Sequence, residues 1–349
     1  MLVDDAPGKP CPAARRNIGI VISTRVRLAR NLAGRKFPTH PDGSDRLEIL
    51  SDIKRVVGTL PGGDAFAWRN IDEESPLECR LLVERHLISR ELAEGSGPRA
   101  VALNPERSLG MMINEEDHLR LQCLMPGLAL HEAYARTDRL DNQLSERLEF
   151  AFDPFYGYLT SCPTNVGTGL RVSAMLHLPA LAMTRHIEKV YRAIIEMRMA
   201  VRGFYGEGTE AYGELYQISN QATCGKNEAD IIDDMDAAIA AIVRYEERAR
   251  ARLAASERRQ LEDRIWRSWG ALRHARLMNT EEAMRHLSSL RMGLAMGLFT
   301  DIRPSELDRL FLYSQPAHLQ RLEGRELEPG DRDAARAALF RKSLGGEMN

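Results

Sequence analysis

Cys162-Pro163-Thr164-Asn165-Val166-Gly167-Thr168-Gly169-Leu170-Arg171 gathers a cysteine, two glycines and an arginine into one short stretch. It follows Phe155 to Thr160, an apolar run that reads as a strand. A strand entering a glycine-containing loop is a place where backbone can approach a ligand closely. A cysteine there is either a reactive thiol, which needs cationic surroundings and access, or a structural thiol buried beside a turn. The cysteine alone leaves both open, and four other segments favour the first.

Ser23-Thr24-Arg25-Val26-Arg27 follows the apolar Ile18 to Ile22. If a strand continues through it, Arg25 and Arg27 share a face. Two guanidinium forks on one face suit a polyphosphate, although a solvated strand face has the same pattern. Asn114-Glu115-Glu116-Asp117-His118-Leu119-Arg120 comes after Leu109 to Ile113. Its adjacent carboxylates either sit near a cation or form a charged surface turn. Arg202-Gly203-Phe204-Tyr205-Gly206-Glu207-Gly208-Thr209-Glu210 reads as a mobile loop carrying one arginine and two carboxylates. His86, within Leu81 to Ser89, is a lone histidine in an apolar run, by itself more often a core residue than a ligand.

Taken together and in this order, the segments resemble the ATP:guanido phosphotransferases, the phosphagen kinase family, over roughly residues 18 to 250. Gln217 to Gln221, Gly225 to Ile232, Gln315 to Gln320 and Arg332 to Ala337 are similar to the bacterial protein-arginine kinases of the McsB type. The resemblance implies ATP as co-substrate, with Arg25, Arg27, Arg120, Arg171 and Arg202 gripping its phosphates and His86 contacting the nucleotide. It also places Ser23, Thr24, Val26, Val172, Ser173, Ala174, Met175, Gly203, Phe204, Tyr205 and Gly206 beside the nucleotide. Phosphoryl transfer asks for position and charge neutralisation, which such cations supply. Magnesium is expected on the phosphates, held mostly by phosphate oxygens and water, with Glu115 or Asp117 reaching it through water.

The implied acceptor is a guanidinium, a poor nucleophile because it stays protonated. Glu116 and Glu207 correspond to the carboxylate pair that grips such a fork and takes a proton. Cys162 corresponds to the cysteine beside it, with an electrostatic role. In the tail, Arg332, Asp333 and Arg336 are implied as an allosteric phosphoarginine site. Arg332 and Arg336 are four apart, so they share a helix face near a helix N-terminus.

Composition sets limits. The chain has 349 residues, 44% hydrophobic, with a net charge of −2 and no bias towards nucleic acid. Five scattered cysteines, with no CxxC pair, argue against a disulfide scaffold or zinc site. No apolar run is long enough to span a membrane, and Met1 to Pro7 lacks the features of a signal peptide. A cytoplasmic protein without a membrane partner is expected. The fold class read from the pattern is α+β, an antiparallel sheet flanked by helices and followed by an all-helical unit. Strands are expected at 18–23, 100–104, 109–113, 119–124, 156–160 and 171–177. Helices are expected at 46–60, 128–148, 184–199 and 228–255, then at 258–276, 280–297, 303–313, 316–322 and 330–344. Residues 18–254 are read as the catalytic domain, and 255–349 as a helical domain for dimerisation and phosphoarginine binding.

The kinases for small guanidino compounds carry a helical domain before the Ser-x-Arg-x-Arg motif. Here that motif begins at Ser23, which suggests an open site that admits an arginine on a protein. The expected activity is therefore transfer of the ATP γ-phosphate to protein arginine, possible partners being an adaptor protein and an ATP-dependent protease. A kinase for free arginine or another small guanidine, and an inactive phosphoarginine-binding adaptor, are the alternatives.

Overall fold

The computed structural model describes residues 19–38, 44–203 and 212–345. Ten strands form in chain order: β1 (Val21–Arg30), β2 (Ala67–Asn70), β3 (Ala100–Leu103), β4 (Leu109–Ile113), β5 (Leu119–Pro126), β6 (Phe152–Asp153), β7 (Gly157–Tyr158), β8 (Leu170–His177), β9 (Met199–Gly203) and β10 (Leu215–Asn220). Eight of them make one sheet in the order β2-β3-β4-β5-β1-β8-β10-β9, and β6 and β7 pair as a separate hairpin. Every pairing in the sheet is antiparallel.

β1 is the central strand and shows why the sheet has two unlike faces. Val26 and Leu28 enter the main core, while Arg25 and Arg27 point the other way. Three helices cover the apolar face: α1 (Ser44–Val57), α4 (Leu130–Ser145) and α7 (Glu228–Ser256). Two short helices, α2 (Pro76–Glu84) and α3 (Arg90–Glu94), cover one end of the opposite face. There Leu82 and Leu92 pack with Val101, Leu103 and Met112. Pro76 at the first turn and the Ser75 hydroxyl accepting from the Glu78 amide start α2. α5 (Pro179–Met183) and α6 (Ile187–Glu196) link β8 to β9.

Five helices follow α7: α8 (Arg258–His274), α9 (Thr280–Ala295), α10 (Pro304–Tyr313), α11 (Pro316–Glu323) and α12 (Pro329–Ser343). Leu261 and Ile265 of α8 belong to the same core as the sheet. Met284, Leu307, Phe311 and Phe340 pack with Leu215 of β10 and with Ile22 and Met175. The helical tail therefore covers the second end of the sheet's polar face. Among the described residues, the middle of that face stays open.

Most expected elements are present, with informative differences. β1 runs well past residue 23, so the Arg25 and Arg27 stretch is strand. Residues 156–160 yield only the two-residue β7. Arg202 and Gly203, expected in a loop, lie on β9. β2, β10, α2, α3 and α5 were not anticipated, being short or mixed in polarity. The cap of α9 is Asn279, whose Oδ1 accepts from the Glu282 amide, one residue before the expected Thr280 start. At α10 the N-cap position is Arg303, with Pro304 in the first turn. No helix among the described residues is long and apolar enough to cross a membrane.

Candidate active site

Strand register builds the site. Arg27 lies opposite Arg171 on one side and Gln122 on the other; Arg25 lies opposite Ser173 and Leu124. Arg120 is opposite Ala29, two residues along β5 from Gln122. Ser23, Met175, Gln217 and Arg202 form a single cross-strand row. All five arginines thus project from one sheet face, and all five line a cavity of about 870 Å³. That volume suits a nucleotide-sized ligand.

Among the described residues, few protein anions match these cations. Among the described residues, only Arg120 of the five forms ion pairs: Glu115 at 2.5 Å and Glu116 at 2.7 Å. Burial, then the neighbouring Arg171 and Arg120, lowers Arg25 to about 10. Burial, then Arg25, Arg120 and Arg171, pulls Arg27 well below the usual arginine range. Arg171 is lowered by burial and then by Arg202. Burial opposes the charge of Arg120 too, but Glu115, Glu116 and Asp117 outweigh it and raise its pKa. The Nε atoms of Arg27 and Arg171 are buried with no hydrogen-bond partner. Buried donors of this kind are costly unless an acceptor completes them. A polyphosphate has the charge and oxygen count to do so.

The carboxylate turn divides its labour. Asn114 takes a left-handed φ of 58° and its amide donates to the Arg46 and Pro98 carbonyls. Glu115 is fully buried, held by Arg120 and the Ser89 hydroxyl. Asp117 is also fully buried; its Oδ1 accepts from Asn31 and from the Ser161 amide, each at 2.7 Å. His118 accepts the Leu32 amide at Nδ1, which leaves Nε2 to donate to the Lys36 carbonyl. Glu116 alone keeps exposure, 38%, and faces the cavity.

The loop before β8 brings Cys162 to the same cavity, its Sγ 3.0 Å from the Thr164 hydroxyl. Asp117, through Ser161, fixes the approach of this loop to the carboxylate turn. His86 lies just past α2 at φ 57°, with its carbonyl accepting from Gln122 at 2.8 Å. Burial pushes its pKa well down, so the ring is neutral at pH 7. Ile22, Val83, Ile88, Leu124 and Met175 supply apolar lining to the same cavity.

Several expected residues stand elsewhere. Val26, Val172 and Ala174 are in the core on the opposite sheet face, as strand alternation requires. Thr24 is buried, donating to the Gly127 carbonyl and accepting the Ala129 amide. Gly203 is buried opposite Tyr216 on the edge strand and does not line the cavity. Phe204, Tyr205, Gly206 and Glu207 lie outside the described residues. Glu115 lines the cavity beside Glu116, while Asp117 is buried behind the turn with its Oδ1 taken by Asn31 and Ser161. No group of three metal-ligating side chains occurs among the described residues.

The three tail residues share α12 and differ in their surroundings. Arg336 is 1% exposed and donates to the Ser314 and Met278 carbonyls at 2.8 Å and to Asp333 at 2.7 Å. It faces the core rather than sharing an exposed face with Arg332, which donates to the Leu327 carbonyl. Sequence reasoning missed Arg46, Ser89, Arg90, Arg99, Gln217 and Gln315, which also line the cavity. Gln217 and Gln315 begin segments matched by resemblance; the other four carry no local signal, since the fold brings them together.

The family model for the ATP:guanido phosphotransferase C-terminal catalytic domain matches residues 48–249. The chain belongs to the ATP:guanido phosphotransferase family. A second model, that of the protein-arginine kinase McsB C-terminal domain, matches residues 258–349. A protein-arginine kinase of Moorella thermoacetica is 44% identical over 330 residues, covering 94% of each chain. One of Bacillus subtilis is 42% identical over 332 residues, covering 95% of this chain and 91% of that one. Among solved structures, lombricine kinase aligns with a TM-score of 0.60 at 24% identity over 71% of each chain, a likeness of fold. The duplicated taurocyamine kinase of Schistosoma mansoni aligns at 0.58 and 29% identity, covering 65% of this chain and 33% of that one. This chain therefore spans a third of that duplicated enzyme.

Proposed function

We propose that this chain is a protein-arginine kinase, transferring the γ-phosphoryl group of ATP to arginine side chains of proteins. The observation that carries the reading is the cluster of Arg25, Arg27, Arg120, Arg171 and Arg202 on one cavity floor, facing Glu116 and Cys162. The relatives named as protein-arginine kinases support the protein acceptor.

In this reading the unpaired Nε groups of Arg27 and Arg171 take phosphate oxygens, and the other three arginines offset charge that develops on the transferred group. Neutral His86 and the apolar lining meet the base. Magnesium, when bound, adds charge neutralisation on the phosphates and is held there by phosphate oxygens and water. Glu116 grips the acceptor guanidinium and takes the proton that its nitrogen loses as the N–P bond forms and the bond to ADP breaks. Glu207 is proposed as the second carboxylate. Cys162 lies beside the guanidinium as a polarising group, with no covalent step.

The kinship extends the proposal further: a catalytic unit over 18–254, a tail over 255–349 that dimerises, a cytoplasmic setting, and an adaptor and an ATP-dependent protease as partners. Phosphoarginine recognition by the tail would rest on Arg332, Asp333 and Arg336.

Glu116→Gln tests the central assignment. It should retain the fold and ATP affinity while transfer falls about 100- to 10,000-fold. Near-normal turnover would refute the role, and a large loss of ATP affinity would place Glu116 on the metal-nucleotide side.

A further inference from the structure

The β6–β7 hairpin carries a feature the phosphoryl-transfer site does not use. Phe152, Phe155 and Tyr156 are 57%, 85% and 55% exposed, three of the ten large hydrophobic side chains exposed among the described residues. Single exposed apolar residues are ordinary, but three within five residues on one turn are a patch.

The turn is held firmly. The Asp153 carboxylate accepts the Phe155 and Tyr156 amides at 2.8 and 2.9 Å, which fixes the tip. Phe155 and Tyr156 pack edge to face with centroids 4.9 Å apart. Gly157 has a φ of 84°, and a Cβ there would fall 2.6 Å from the Gly167 carbonyl oxygen. Tyr158 exchanges backbone hydrogen bonds with Gly167 at 2.8 and 3.2 Å, and the buried Arg30 guanidinium sits 3.5 Å from its ring centroid. Exposed aromatics on a pre-ordered turn bind at little conformational cost, unlike the same side chains on a floppy loop.

The hairpin is also continuous with the acceptor end of the cavity. Gly167 closes the loop that brings Cys162, Thr164 and Asn165 to the cavity wall. Asn31 donates to the Leu159 carbonyl just after the hairpin and to Asp117 behind Glu116. Hairpin, cysteine loop and carboxylate turn are thus one hydrogen-bonded body. Phe155 and Cys162 are seven positions apart, so the two lie no more than about 25 Å from each other.

We propose that the Phe152, Phe155 and Tyr156 patch is a docking site for the acceptor polypeptide, binding an apolar or aromatic side chain within about seven residues of the target arginine. The proposal rests on the protein-arginine kinase reading. A guanidinium between Glu116 and Cys162 puts its flanking chain beside the loop to which this hairpin is hydrogen-bonded, and an extended strand of about seven residues spans up to about 25 Å. The patch would select among arginines by their neighbours, whereas the cavity reads only the guanidinium.

The test uses two peptides with one arginine each, identical except that one bears a phenylalanine four residues from it and the other a serine. The full chain with ATP and magnesium should show a KM for the phenylalanine peptide about ten-fold lower than for the serine peptide. Phe155→Ser should remove that difference, Phe155→Leu should retain most of it, and both should keep the wild-type ATP affinity and the kcat at saturating peptide. Equal KM values for the two peptides with the wild-type chain would overturn the proposal, as would an unchanged preference in Phe155→Ser. So would sedimentation showing that Phe155→Ser dissociates a dimer, since the patch would then be covered by a second copy. If the wild-type chain labels no arginine in either peptide or in an unfolded protein, the function reading fails as well, a result distinct from labelling without preference.

Discussion

Arg27→Met separates the cost of the arginine cluster from its use. Arg27 lies opposite Arg171 and is depressed by burial and by Arg25, Arg120 and Arg171, with no carboxylate paired to it among the described residues. At an effective dielectric constant of about 20 and a head-to-head separation of about 7 Å, one such pair repels by about 2 kcal/mol. Screening at the cavity mouth reduces this, while methionine retains most of the apolar stem. The ligand-free variant should therefore gain about 1–2 kcal/mol of stability, read as a melting temperature a few degrees higher. Losing a charge-assisted contact to phosphate costs about 1.5–3 kcal/mol, so ATP should bind about 10- to 150-fold more weakly. Calorimetry and melting with and without ATP read both quantities. With saturating ATP the wild-type chain should be the more stable, reversing the ligand-free order. A lower ligand-free melting temperature with unchanged ATP affinity would refute the reasoning. Arg25 gives the same logic a pH sign. Its folded pKa of about 10 lies below the ordinary arginine value, so its penalty is full below pH 10 and is relieved as pH rises from there towards the ordinary value.

Two further outcomes follow from buried groups away from the cavity. His177 donates from Nε2 to the Ser288 hydroxyl, which donates to Glu214, and burial followed by Arg250 and Arg291 holds its pKa well below 6.5. The unfolded chain takes up that proton first, so stability should fall as pH drops below about 6.5, by up to about 1.4 kcal/mol per pH unit from this residue. Denaturant melts of His177→Gln should show a shallower acid loss than wild type, and an identical slope would count against it. Arg336→Ala leaves two carbonyls and Asp333 without their donor and should destabilise the helical tail by about 3 kcal/mol; a variant as stable as wild type would return Arg336 to a ligand role.

The strand alternation in β1 was legible, because Thr24, Val26 and Leu28 oppose Arg25 and Arg27 whatever the partner strands are. The tail helices were legible from apolar spacing and from Pro304, Pro316 and Pro329 at their starts. Less visible was which side of an element faces inward. Arg332 and Arg336 are correctly four apart, but spacing does not say that Arg336 turns into the core. The same limit applies to Asn114 to Arg120, where Asp117 and His118 are spent on holding the turn while Asn114, Glu115, Glu116 and Arg120 line the cavity. Long-range assembly was illegible too: Gln315 reaches the cavity because α11 docks on α2, where the Glu84 carboxylate accepts the Ala317 and His318 amides.

The central claim is that the acceptor is an arginine within a protein. The full chain is incubated with ATP, magnesium, an unfolded arginine-containing protein and a large excess of free arginine, and N-phosphate is located by mass spectrometry under non-acidic conditions. The account predicts phosphorylated arginine in the protein despite the competitor, and none with Glu116→Gln. Phosphorylation of the free amino acid with the protein unlabelled would contradict it.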